Sequence, residues 1–220
     1  MIKQEIFAFL KDLSENNNRE WFAANKHRYD FARLELEHFT EKVLLLIKQI
    51  DPSIPTDLSA KKCILRIYRD IRFSKNKMPY KNNFAINIST VEKGKEGPGY
   101  YIHIAPQASF VAGGYWMPQA TDLKAIRQEI DYNTADFLKV IEDPEFNKYF
   151  GSLSIEDKLR LAPKDYPKDH PYIDLLKLKS FICLHSLSDE ILKSKDGLKE
   201  IEKGLKLLYP FQMFLKNAIS

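Results

Sequence analysis

Residues 61 to 81, KKCILRIYRDIRFSKNKMPYK, carry eight Lys or Arg side chains and one acid, Asp70, so the remainder of a chain with 34 basic and 30 acidic residues is net acidic. Positive charge concentrated in one short segment is the chemistry of an anion site. Arg66 and Arg72 offer planar, bidentate donors suited to a phosphate or a carboxylate. Asp70 can orient one of them or hold the imidazole of His103, and His103 or Tyr80 can move a proton. Asp70, His103 and Tyr80 are thus the candidate catalytic residues, and Arg66, Arg69, Arg72, Lys77 and Asn87 the candidate ligand contacts. Whether a reaction takes place there is left open by the residue types.

A strand would bring these side chains together, because successive residues point to opposite faces. If 65–73 is regular, Leu65, Ile67, Ile71 and Phe73 share an apolar face with Arg69 among them, while Arg66, Tyr68, Asp70 and Arg72 share the other. Pairing the next strands in order extends the polar face through Asn87, Ser89, Tyr101 and His103. Arg69 needs a carboxylate or carbonyl partner, or a bulge that turns it outward, since an unpaired buried charge is costly.

Plainer explanations exist for the same residues. An antiparallel sheet commonly has one solvated face, and a lysine-rich hairpin tip at Lys75, Lys77 and Lys81 also protects an edge from aggregation. Three features favour a site. Six of the sixteen residues from Arg66 to Lys81 are basic, Tyr68, Phe73 and Tyr80 interleave them, and the chain has enough helices to cover both faces.

The stretch from Arg66 to Tyr80 fits the pattern R-x-x-R-D-x-R-F-x-x-[DN]-K-x-x-Y at every specified position. In this it resembles a bacterial and fungal family, the one numbered 2461 among domains of unknown function. NNNREWFAANKHRY, PGYYIHIAP, FVAGGYWMP and LAPKDYPKDHPY also resemble that family, so the likeness covers nearly the whole chain. The resemblance implies that Arg66, Arg69, Asp70, Arg72, Phe73, Asn76, Lys77 and Tyr80 form a group whose identity matters. It implies no reaction, ligand or catalytic residue.

The elements that position these residues follow from periodicity. Ile2, Ile6, Phe9, Leu10 and Leu13 form one face of a helix, Asn18 is placed to cap a second, and apolar residues at helical spacing continue to Ile47, in one helix or in two broken near Asp30. After Pro52 and Pro55 the period changes to two. Cys63–Phe73, Phe84–Val91, Tyr100–Ala105 and Ser109–Trp116 read as strands, with GKEGPG as a turn and Gly113-Gly114 as a bulge or close approach. Thr121 and Thr134 open further helices, a Pro-rich stretch spans 144–171, and 181–184 reads as a short strand. Ser188 opens a helix running toward Tyr209, with Pro210 in the first turn of a terminal one. The expected fold is α+β in a single domain, 1–220: helices over 1–50, an antiparallel sheet of four or five strands within 61–117, and mainly helices over 121–220.

The longest apolar run, Val43–Ile47, is far short of a membrane span. The N-terminus lacks the apolar block of a signal peptide, so a cytoplasmic location is the default expectation. Cys63 and Cys183 read as buried free thiols with no disulfide or zinc spacing. His27 with Asp30, and His38 with Glu41, share helical faces without partners elsewhere, so neither a metal nor another cofactor is expected. His170 before Pro171 reads as a loop cap, and Trp21 and Trp116 as core or pocket wall. The expected partner is a small anionic ligand. A nucleic-acid module, with the Lys75–Lys81 tip on phosphates and Tyr68 or Tyr80 stacked on bases, is the alternative, and a structural Arg/Asp network is the third reading.

Overall fold

The periodicity of the first fifteen residues becomes helix α1, Gln4–Glu15, whose Ile6, Phe9, Leu10 and Leu13 are buried in a computed structural model that describes residues 1–91 and 96–220. Asn18 caps α2, Arg19–Ala24, by accepting the Trp21 N–H at 2.8 Å. The break before α3, Lys26–Ile50, falls at Asn25, five residues earlier than Asp30, because Asn25 stands outside the helical conformation and turns its amide back to the Trp21 carbonyl. Asp51 then ends α3 ahead of Pro52, and its carboxylate accepts the Ser53 N–H at 2.9 Å.

A four-residue helix, α4 (Ala60–Cys63), follows, and then the first correction. No strand spans 64–73. The sheet begins at β1, Phe84–Ser89, and continues through β2, Gly99–Ile104, and β3, Ser109–Tyr115; of the turn GKEGPG, Gly94 and Lys95 lie outside the described residues. The fourth strand comes from far downstream. After α5 (Ala120–Tyr132), α6 (Thr134–Ile141), α7 (Pro144–Phe150) and α8 (Ile173–Leu176), β4 spans Phe181–Leu187 and lies next to β3, giving the antiparallel order β1-β2-β3-β4. Helices α9 (Asp189–Lys193), capped by Ser188, and α10 (Gly197–Ala218) complete the fold, which is α+β. Among the described residues no helix is long and apolar enough to cross a membrane.

Two details of the helices differ from expectation. Gln119, not Thr121, precedes α5, and Pro210 sits inside α10, where the helix accommodates its missing N–H. Cys63 and Cys183 are buried and free, and burial raises both thiols, Cys63 to about 11.

The chain divides into two compact units. The first comprises Met1–Ile88, Tyr101–Val111 and Ser186–Lys203. Its core joins Phe9 to Trp21, Phe22, Tyr29 and Phe84 through ring contacts near 6 Å, and the Ile2 N–H bonds the Leu192 carbonyl at 2.8 Å. The second comprises Ser89–Tyr100, Ala112–His185 and Gly204–Ser220. Phe137, Phe146, Phe211 and Phe214 pack at its centre.

Within the second unit the paired glycines of β3 are a close approach. A Cβ on Gly113 would come within 2.8 Å of Leu208 and Gln212 side-chain atoms, and one on Gly114 would collide with the Phe181 carbonyl oxygen. Gly114 also has φ +121°, a conformation that a side chain disfavours. Gly114→Ala is therefore expected to cost about 3 kcal/mol or more, and Gly113→Ala less, since flexible side-chain ends can yield. Urea unfolding of the two variants checks the order, and an equal, small loss in both would contradict it.

Candidate functional site

The basic segment forms a narrow loop of two arms in place of a strand. The Leu65 N–H bonds the Ala85 carbonyl at 2.9 Å, the Lys81 N–H bonds Ile67 O at 2.7 Å, and the Arg69 N–H bonds Pro79 O at 2.9 Å. Only isolated bridges result, Ile64 with Ile86 and Tyr68 with Tyr80. Ile64 and Ile67 are buried while Leu65 is 37% and Phe73 96% exposed, so the apolar face expected of 65–73 does not form. The physical reason lies in the polar side chains. Asp70 accepts the Arg72 N–H at 3.2 Å and Asn76 the Met78 N–H at 3.0 Å, two local turns that take backbone donors from any ladder. Pro79 has no N–H to give.

Most of the motif residues brace this loop. Arg69 donates to Met78 O at 3.2 Å, so its partner is a carbonyl, and Lys77 donates to Ile71 O at 3.0 Å. Arg72 grips both oxygens of Asp70, at 3.0 and 2.7 Å, and lies 5.8 Å over the Phe73 ring. That fork holds the Asp70 carboxyl below its ordinary range and keeps both side chains in solvent. Tyr80 is buried, its ring stacked on Phe22 at 4.0 Å and 12°, and burial pushes its phenol up. Asn17 binds the Tyr80 backbone twice, accepting its N–H at 3.1 Å and donating to its carbonyl at 3.0 Å. Arg66 is the exception: among the described residues it has neither a hydrogen bond nor an ion pair from its guanidinium.

Around His103 a second group assembles. Strand β2 alternates as expected, with Tyr100, Ile102 and Ile104 buried and Tyr101 and His103 half-buried on the opposite face. The imidazole stacks on Phe110 at 4.7 Å and 6°. Its Nδ1 meets two donors, the Asn83 amide at 3.4 Å and the Tyr101 hydroxyl at 3.3 Å. Nδ1 is therefore the acceptor, and the neutral ring carries its proton on Nε2. Burial first, and then the charge of Lys81, lower the His103 pKa below its ordinary 6.5. The Lys81 amine is itself lowered, by burial and by Arg66. Three groups that can be cationic thus influence one another in the order Arg66, Lys81, His103. Among the described residues no carboxylate lies within ion-pair distance of Arg66 or Lys81.

Of the residues singled out in the sequence, Arg66 and His103 belong to this cluster. Asp70 and Arg72 pair with each other, Arg69 and Lys77 hold loop carbonyls, and Tyr80 packs into the core. Asn87 is exposed between Ile88 and Ile86 on β1. Lys81 and Asn83 were missed, although carrying the alternation of β1 back from Asn87 in steps of two reaches both. Among the described residues no three His, Cys, Asp or Glu side chains are grouped as a metal would require.

His170 behaves as the loop cap its position suggested: Nδ1 accepts the Tyr172 N–H at 3.1 Å, and Nε2 contacts Asp131 at 2.8 Å. Trp116 departs from expectation, being 67% exposed.

A family profile described as "Conserved hypothetical protein (DUF2461)" matches residues 5–214. No curated protein and no solved structure gave a match. Because the profile covers all but the ends of the sequence, the chain belongs to the DUF2461 family.

Proposed function

We propose that the first unit binds a small phosphate- or carboxylate-bearing ligand at Arg66, Lys81 and His103. One observation carries the reading: Arg66 and Lys81 lie close enough for one charge to depress the other, with no carboxylate in ion-pair range among the described residues. Lys81 is partly desolvated and repelled by Arg66, and a bound anion relieves that repulsion. Asn83 and Tyr101 fix the tautomer of His103, which leaves Nε2–H as a donor to the ligand. A neutral imidazole beside a cation is also suited to proton transfer should the ligand react. Asp70, Arg69, Arg72, Lys77 and Tyr80 serve in this reading as the frame that presents Arg66 and Lys81, and Asn87 borders the same region of β1. The nucleic-acid alternative uses the opposite end of the loop, where the exposed Phe73 ring and Arg72 provide a stacking group and a cation.

Titration with inorganic phosphate and citrate, followed by the His103 ring resonances, distinguishes these readings. Binding at the cluster raises the His103 pKa. Lys81→Met and Arg66→Ala each weaken binding about tenfold, the scale of one charge-assisted hydrogen bond. Asp70→Asn strengthens it by removing a negative charge that acts on Arg66. Unchanged affinity in both cation variants would overturn the proposal. Salt-sensitive binding of single-stranded RNA or DNA that Phe73→Ala abolishes would favour the alternative.

The lowered pKa also fixes a pH dependence. Between the folded-state pKa of His103 and about 6.5 the unfolded chain binds the proton that the folded chain refuses, so stability rises with pH across that interval and falls as pH drops through it. His103→Gln is expected to flatten that rise in denaturant midpoints measured from pH 5 to 7, and Lys81→Met to narrow it by returning the histidine toward its ordinary value. A rise of the same size in His103→Gln would assign it to another group.

A further inference from the structure

Helix α5 and the segment 159–166 line a cleft of about 570 Å³ in the second unit. Its walls are largely apolar, with Ala120, Leu123, Leu159, Leu161 and Pro163 among the lining residues, yet Arg127 lines it too. The Arg127 guanidinium is half-buried; among the described residues its Nη2 donates to the Leu178 carbonyl at 3.0 Å, while its buried Nε has no partner. Two nearby acids have partners of their own, one of them, Asp165, within the cleft lining together with Lys124. Asp131 contacts His170 at 2.8 Å, and Asp165 faces Lys124 at 3.9 Å. The Tyr166 phenol, which also lines the cleft, lies close enough to Arg127 for each to influence the other's ionisation. Arg160 and Lys164 at the rim add positive charge. A half-buried cation with no ion-paired carboxylate among the described residues, set in a largely apolar cleft, lacks one kind of neighbour: a negative group attached to an apolar body.

We infer that this cleft binds an amphipathic carboxylate of medium chain length, with its headgroup on Arg127 and the Tyr166 hydroxyl and its alkyl body along Leu123, Leu159 and Leu161. A carboxylate is the headgroup chosen because the single partly buried planar guanidinium matches one planar monoanion. This also gives a role to LAPKDYPKDHPY, residues 161–172, a stretch that the anion site of the first unit does not use. A second cleft, lined by α6 and α10, mixes Glu129, Asp136 and Asp143 with Lys139 and Lys206 and so favours no one charge.

The test is calorimetric titration of the full chain with octanoate, hexanoate, octanol and octyl phosphate. Octanoate should bind about tenfold more tightly than hexanoate, the effect of two further buried methylenes, and octanol should bind at least tenfold more weakly. Arg127→Gln should reduce octanoate affinity at least tenfold. Because Arg127 also holds the Leu178 carbonyl, Leu161→Glu serves as the second variant. Leu161 is 77% exposed, so the substitution leaves the core intact while placing a repelling carboxylate in the cleft. Octanol binding as tightly as octanoate, or wild-type affinity in Leu161→Glu, would overturn the inference. Tighter binding of octyl phosphate would overturn the choice of headgroup. Octanoate binding that weakens in Arg66→Ala and shifts the His103 resonances, but is unchanged in Leu161→Glu, would place the carboxylate at the site of the first unit and overturn the inference.

Discussion

The two hydrogen bonds between Asn17 and the backbone of Tyr80 are the constraint on which the architecture of the first unit turns. An asparagine amide presents one donor and one acceptor side by side, so it pairs with a single residue's N–H and C=O as a neighbouring strand would. With the Tyr80 ring stacked on Phe22 of the following helix, this clamp fixes the returning arm of the basic loop against the helical part of the chain. Lys81, Asn83 and the start of β1 follow within four residues, so the placement of the cation cluster descends from the clamp. Neither member looks functional by composition: one is an asparagine in a turn-like triplet, the other a tyrosine in a lysine-rich tip.

The basic segment gathers its charge in two ways. Arg69, Arg72 and Lys77 hold loop carbonyls or Asp70, so their charges serve the geometry of the loop itself. Arg66 and Lys81, at the base of the two arms, are near enough for the charge of Arg66 to lower the Lys81 pKa. Charge density along the sequence therefore overstates the number of cations available to a ligand.

How far the sequence reveals this depends on which force sets each element. Helix α1 and strand β2 were legible because burial alone sets their periods, with every third or fourth residue inside for α1 and every second for β2. The caps at Asn18 and Ser188 were legible because a side-chain acceptor at a helix start acts locally. The stretch 64–73 misled because its alternation of apolar and basic residues is that of a strand, while Asp70 and Asn76 turn the backbone on itself, a competition that periodicity does not register. Strand β4 joins the sheet from beyond four helices, a pairing that local pattern cannot assign to its neighbour. Lys81, which Arg66 influences and which in turn influences His103, and Asn83 lie just before β1, outside the run of residues whose period marks that strand.

The self-bracing of the basic loop bears on the order in which the molecule is made. Its side-chain bonds to Met78, Ile71 and Asp70 join residues separated by 9, 6 and 2 positions, whereas the Asn17 clamp joins residues 63 apart. Contacts of short range close quickly and at small entropic cost, and distant ones wait on the collapse of the chain between them. The loop can thus take its shape early and be docked onto α2 as a finished piece, with the cation cluster completed only in that last step.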